Sequence, residues 1–420
     1  MARGTMTLTL NANMVDNDWL PPFSLAEYER RFRVVRRGME EQGLDALVIY
    51  GAHSFAGRDL GQINAVYLSN YAAFIHTYVV VPLHDEPTVF IPIAPHLPNA
   101  KDLSCLTDIR SVGTRCELGV TDRLKELGLE RGRIGVVGPL NASWWNMSLP
   151  TEATAHFAEA LPEAELRVVS ELYEQWRLIK SDEEIDHQRR AASINDAAQE
   201  AVVQATRPGV RHHDLSEIGY AAAQKLRGNT AYIHMSSTSM AHPTMTYPDP
   251  YPTHKEVGPD EVVLSEHSVG FGGYYGKLMT TWFTGEPTKE YRALFDVASE
   301  VYRTALAELK PGMTSADADR LMDPVAKAGW TVPFPLVSGW SAYNSPPMVG
   351  WPSSGDDPAA NRPGASATFE PGMAVRISVN PHTQDGRALW VASACVFTET
   401  GLESLHAYDP AALRVVPADA

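Results

Sequence analysis

"GPDEVVLSEHSVGFGGYYGKLMTTWFTGEPT", Gly258–Thr288, sets two apolar-rich runs on either side of a glycine cluster. β-Branched and aromatic residues recur in both runs, as strands favour. "GFGG" (Gly270–Gly273) lacks the strand–turn–helix setting of a dinucleotide-binding loop and reads as the turn of a hairpin. Strands are therefore expected over Glu261–Thr284. Side chains alternate along a strand, so Tyr275, Lys277 and Met279 share one face. If that face points inward, the Lys277 ammonium needs a counter-charge, and Glu266 on the preceding strand is the natural candidate. His267, adjacent to Glu266, falls on the opposite face.

Working outward, Lys289–Leu309 reads as a helix, "KPGMTSADADRLMDPVAKAG" (Lys310–Gly329) brings another, and strands are expected at Met373–Asn380 and Leu389–Thr398. Upstream, Ser181 followed by Asp182, Glu183 and Glu184 opens a long amphipathic helix that Pro208-Gly209 closes. A further strand is expected near Met240–Met245. Two Pro-Gly loops, "RPGVRHHDL" and "KPGMTSADA", each precede a helix and hint at an internal duplication.

The first part of the chain has a different texture. A helix at Leu25–Gln42 is followed by short β-rich runs: "DALVIYG", "AVYLSNY", "HTYVVVP", "PTVFIPI" and "RIGVVGP". Helix and repeated strands make an α/β domain. The expected organisation is an arm at 1–24, an α/β domain at 25–170 and a second domain at 171–420.

The composition narrows the function classes. A chain of 420 residues is too long for one compact core, and 44% hydrophobic with 20% charged residues is ordinary for a globular protein. A net charge of -16, without a basic run, argues against a nucleic-acid surface. Cys105, Cys116 and Cys395 are odd in number and lack metal-ligand spacing, which fits a reduced, cytoplasmic setting. No run approaches the ~18 apolar residues of a membrane span. "GWSAY" (Gly339–Tyr343) fails the nucleophile-elbow pattern at its last position. Zinc-protease, C-x-x-C and phosphate-loop motifs are missing. These observations alone reach a soluble two-domain α/β protein.

Four segments carry the reading further. "WRLIKSDEEIDHQRRAA", the opening stretch, "FEPGMAVRISVNP" and "VFTETGLESL" resemble, in order, the creatinase/aminopeptidase P/prolidase (pita-bread) family. The resemblance implies a creatinase-like N-terminal α/β domain, a C-terminal pita-bread domain of two pseudo-symmetric ααββ halves, and a homodimer. Most members bind two metal ions through two Asp, one His and two Glu. Carried over one at a time, these positions fall on Glu266, Lys277, the neighbourhood of Trp340, Asn380 and Ala392. An ammonium, an indole and a methyl group cannot ligate divalent cations. The expectation is no metal and no other cofactor.

The creatinase branch of that family works without metal, and "GYYGKLM" resembles it. Its catalytic histidine lies in an alanine–histidine motif, matched here by His242 in "MAHPTM". An imidazole suits proton shuttling near neutral pH. The glutamates that creatinases place around a guanidino group fall on Met279 and Asn380. The expected substrate is therefore a neutral or anionic small molecule with an amide, lactam, urea or related C–N bond, and not creatine. Creatinases also close the pocket with a phenylalanine and an arginine from the partner subunit; "NYAAFIHTYVVV" offers Phe74 and His76 there. The resulting expectation is a metal-independent hydrolase. His242 serves as general acid/base, and Lys277 with Glu266 as a charged pair. Tyr275, Asn380, Trp340, Met279, Phe74 and His76 line the substrate. The rivals are an inactive shell kept as a binding module, and a lyase or isomerase with Lys277 as base.

Overall fold

The computed structural model describes residues 8–52, 59–138, 140–142, 145–147, 149–339 and 368–416. The chain divides into two compact units, Met1–Arg177 and Leu178–Ala420.

In the first unit, α1 (Leu25–Gln42) begins where the Ser24 side chain accepts the Glu27 N–H and ends at Gly43 in the left-handed region. There follow β1 (Ala46–Gly51), α2 (Ile63–Ser69), β2 (Thr77–Pro82), β3 (Thr88–Ile91), α3 (Leu97–Leu103), β4 (Asp108–Ser111), α4 (Cys116–Glu126) and β5 (Arg133–Val137). A hairpin of β6 (Leu140–Ala142) and β7 (Trp145–Met147), then α5 (Thr151–Ala160), β8 (Glu165–Val168) and α6 (Ser170–Trp176), complete the unit. Six strands form one mixed sheet in the order β4-β3-β2-β1-β5-β8. The central β1 and β2 are buried along their whole length, and they read as continuous apolar runs for that reason.

"AVYLSNY" departs from its expected strand: α2 occupies most of it. A short apolar run cannot be assigned to strand or helix by periodicity alone. The helix is buried on every side and stops at Asn70 in the left-handed region. The Tyr173 hydroxyl holds the Asn64 carbonyl at 2.9 Å.

The second unit opens with α7 (Asp182–Ala205), capped reciprocally by Ser181 and Glu184 with three acids in its first turn. Then come α8 (His212–Lys225), β9 (Asn229–Ser239), β10 (Glu261–Phe271), β11 (Tyr274–Phe283) and α9 (Lys289–Glu308). Two five-residue helices, α10 (Ser315–Asp319) and α11 (Asp323–Lys327), precede β12 (Val337–Gly339), β13 (Ala374–Val379), β14 (Val391–Phe397) and β15 (Leu402–Ser404). The strands run β12-β13-β14-β11-β10-β9, with β15 on β14. Helices α7 and α8 back the β9–β11 half through Val202, Leu215, Ile233, Val263 and Trp282. Helix α9 backs the other half through Leu294, Phe295, Val375 and Ile377.

The hairpin expected from "GFGG" is present: Gly272 and Gly273 both take positive φ between β10 and β11. The strand expected at Met240–Met245 is not. β9 ends at Ser239, whose hydroxyl accepts the N–H groups of Ala241 and His242 at 3.3 Å. Pro243 then removes a ladder donor, so side-chain turn chemistry replaces pairing.

Candidate active site

Register brings the chemistry together. Glu266 stands opposite Met279 on one side and His234 on the other; Ser268 stands opposite Lys277 and Tyr232. Direct partners share a face, so two rows lie side by side: His234–Glu266–Met279 and Tyr232–Ser268–Lys277. The β9–β10 register shifts just beyond Ser268, and pairing resumes with Val269 opposite Thr230.

Within these rows Lys277 and Glu266 are sealed from solvent, at 0% and 6% exposure. The ammonium donates to a Glu266 carboxylate oxygen and to the Tyr232 hydroxyl. Tyr232 in turn donates to the same Glu266 oxygen at 3.1 Å, closing a three-membered ring of hydrogen bonds. The Lys277 nitrogen lies 4.3 Å from the centre of the Tyr232 ring, which stacks on His234 at 4.2 Å.

Burial pushes the Lys277 ammonium down to about 8, against the raising effect of Glu266. Burial acting alone would raise Glu266; the Lys277 charge and hydrogen bond, with smaller help from His234 and Arg376, hold it below the usual carboxylate range. His234 is pushed down by burial and by Lys277, while Glu266 opposes, which favours the neutral ring. At neutral pH the pair is therefore an ammonium beside a carboxylate. His267, on the reverse face as expected, is fully buried and driven down to about 3, by burial first.

Around the pair, Met279, Trp390 and Ala392 form an apolar floor that Phe334 packs against. Tyr247 meets Trp390 edge-on at 4.4 Å, and the Arg376 guanidinium lies 5.8 Å from the Phe334 ring. The hydroxyls of Ser268 and Ser378, Nε of Arg376 and Nε1 of Trp390 are buried without a hydrogen-bond partner among the described residues. Buried polar atoms of this kind mark a place where water or a ligand is held.

The residues expected at the site are placed as follows. Lys277, Glu266 and Met279 come together, and Tyr275 is buried on the same face, its ring over Gly270, where a Cβ would meet it at 2.5 Å. Asn380 is buried with its amide committed: it donates to the Leu389 carbonyl at 2.7 Å, and its oxygen lies 3.0 Å from His382 Nε2. His242 is exposed in the turn after β9, and its imidazole is hydrogen-bonded to none of the described residues. Trp340 lies outside the described residues. In the first unit, Phe74 is 66% exposed, and the half-buried His76 ring lies 6.3 Å from that of Tyr50.

Sequence reasoning missed Tyr232, His234 and Arg376. Period-two alternation in "NTAYIHMSSTS" would have grouped Tyr232 with His234. Which β9 residue faces Glu266 depends on the register and its shift.

The arrangement of these strands invites comparison with known proteins. The sequence profile of metallopeptidase family M24 matches residues 186–399, and that of the creatinase/prolidase N-terminal domain matches residues 31–179. The chain belongs to family M24. It is 27% identical to a creatinase of Bacillus sp. (strain B-0618) over 315 residues, 71% of this chain and 70% of that one. Its fold is that of an Xaa-Pro dipeptidase from Bacillus anthracis, with a TM-score of 0.72 and 19% identity over 93% of this chain and 100% of that one. The N-terminal domain of the FACT complex subunit SPT16 from Cicer arietinum shares the fold as well, with a TM-score of 0.68 and 12% identity over 91% of this chain and 97% of that one. Two domains, creatinase-like and pita-bread, are thus established. The likeness supports a hydrolase of the M24 family. No helix among the described residues is long and apolar enough to cross a membrane.

The family name implies metal ions, and the residues present here do not fit them. Lys277 puts an ammonium in contact with Glu266, the one carboxylate among the four metal-ligand positions that are described; Ala392 offers no donor, and the Asn380 amide is engaged. Among the described residues no group of three His, Cys, Asp or Glu side chains is placed to hold a metal ion.

Proposed function

We propose that this member of family M24 hydrolyses a C–N bond of a small polar molecule without a metal ion. One observation carries the reading: Lys277 and Glu266 form a buried ion pair, at two strand positions that the family resemblance assigns to metal ligands. A buried ammonium can supply fixed positive charge to a carbonyl oxygen as charge develops there. His242 is the proton carrier at the leaving nitrogen, reaching it from the turn after β9. With Met279 in place of a glutamate, the described residues of the site offer a guanidinium no second anionic partner, which favours amides, lactams and ureas over creatine. The working unit is a homodimer in which Phe74 and His76 complete the partner's pocket.

The test is turnover by the full chain in excess EDTA, followed by mass spectrometry. The probes are creatine, glycyl-proline, N-acetylglycine and N-carbamoylglycine. Hydrolysis of an amide or urea probe that survives EDTA and is lost in Lys277→Met supports the proposal. Efficient turnover of creatine overturns the substrate class, and activity that requires added metal overturns the mechanism.

A second reading is a binding shell without catalysis, on a fold shared with the N-terminal domain of a FACT complex subunit. It predicts no turnover of any probe and unchanged behaviour in His242→Ala.

A further inference from the structure

We propose that Tyr232 is the group that exchanges a proton with the attacking water, with Lys277 and Glu266 as its relay. The inference rests on the charged-pair reading above and extends it. Sealed from solvent, the ammonium acts on a substrate through its field, and neither charge exchanges a proton with the attacking water directly. Of the three members of the hydrogen-bonded ring, only Tyr232 is half-exposed. Its hydroxyl already points its proton at Glu266 while accepting one from Lys277. An ammonium donating to a phenol oxygen stabilises the phenolate, and the carboxylate is the proton's destination.

A second observation points to a bound water at the same place. Ser268 lies in the row between Tyr232 and Lys277, is fully buried, and its hydroxyl has no partner among the described residues. A hydroxyl so placed holds a water oxygen beside the phenol.

The step balances within the site. Tyr232 passes its proton to Glu266, and Lys277 holds the phenolate. The phenolate takes a proton from water as the water oxygen bonds to the carbonyl carbon and the C=O electron pair moves to oxygen. When that intermediate collapses, the C–N bond breaks with its electron pair on nitrogen, and protonated His242 supplies the nitrogen's proton. The proton left on Glu266 leaves through Tyr232, the half-exposed member of the ring, and water carries it to His242. Net, water adds OH to the acyl group and H to nitrogen.

The titratable groups that face Tyr232 are Glu266 from β10, Lys277 from β11 and His234 from its own strand. Glu266 is also hydrogen-bonded to Tyr247 and feels the Arg376 charge.

The experiment is a pH titration of near-ultraviolet tyrosinate absorbance on the full chain, wild type beside Tyr232→Phe. The expected result is one tyrosine's worth of signal that rises at lower pH than the rest in wild type and is missing in the variant. Superimposable curves overturn the proposal, whatever the substrate proves to be. In parallel, the rate with whichever of the four probes reacts is measured for Tyr232→Phe and Lys277→Met. A fall in kcat of about 100-fold in Tyr232→Phe, with KM within about threefold, is expected for a lost proton-transfer group. If Lys277→Met is inactive and Tyr232→Phe is not, Tyr232 is no relay and the charged pair still stands. If both variants match wild type, both readings fall.

Discussion

Lys277 and Glu266 meet on the diagonal of the β10–β11 ladder, Glu266 opposite Met279 and Lys277 opposite Ser268, with both charges inside the sheet face. Neither residue can be buried alone at reasonable cost, since each supplies the counter-charge the other requires. Stability, titration and turnover are therefore expected to respond to the two residues as a unit.

Lys277→Met leaves a buried carboxylate unpaired and is expected to lower unfolding stability by about 3–5 kcal/mol. Lys277→Met with Glu266→Met removes both charges and recovers most of that loss. Urea denaturation of the single and double variants gives the coupling directly. Additive losses would show that the charges do not interact.

The pair also sets a pH dependence. Lys277 titrates near about 8 when folded against an ordinary 10.5, so between those values the unfolded chain binds more protons and stability rises with pH. Glu266 is held below its ordinary 4.5, so its contribution is present above that value and is lost as pH falls through the folded one. Thermal denaturation across the alkaline range should show the rise in wild type and a flatter curve in Lys277→Met.

Turnover should track the charge more than the shape. Glu266→Gln keeps the size of the side chain but frees the ammonium, and is expected to cut kcat/KM at least about tenfold. His242→Ala should act on kcat with little change in KM, because the exposed imidazole is assigned to proton transfer and not to substrate binding. Steady-state kinetics on the reactive probe decides both.

Gly276 fixes how closely β11 approaches α7. A Cβ there would lie 2.6 Å from the Ala192 Cα, a backbone atom that cannot swing away. Gly276→Ala is expected to destabilise by about 1–3 kcal/mol and, being adjacent to Lys277, to lower turnover with it. A Tm and a rate equal to wild type would mean that the helix shifts freely.

Much of this was legible in the sequence because it is local. The hairpin declares itself through Gly272-Gly273, and strand alternation is enough to put Lys277 and Met279 on one face. Ser181 with its following acids announces α7 in the same way. Non-local geometry was not legible. Tyr232 meets Glu266 only through the β9–β10 register, which shifts beside it, and Arg376 reaches the site from β13, far along the chain. Two local readings failed where a competing interaction prevailed. Tertiary burial made α2 of an apolar run, and the Ser239 hydroxyl turned the chain at His242.

The central claim is that an ion pair has taken the place of a metal centre. Its most direct test is elemental analysis by plasma mass spectrometry of the full chain, saturated with manganese, cobalt and zinc salts and then desalted. The account predicts only substoichiometric metal in wild type. Stoichiometric retention of any of these ions, lost on substitution of Glu266, would contradict it.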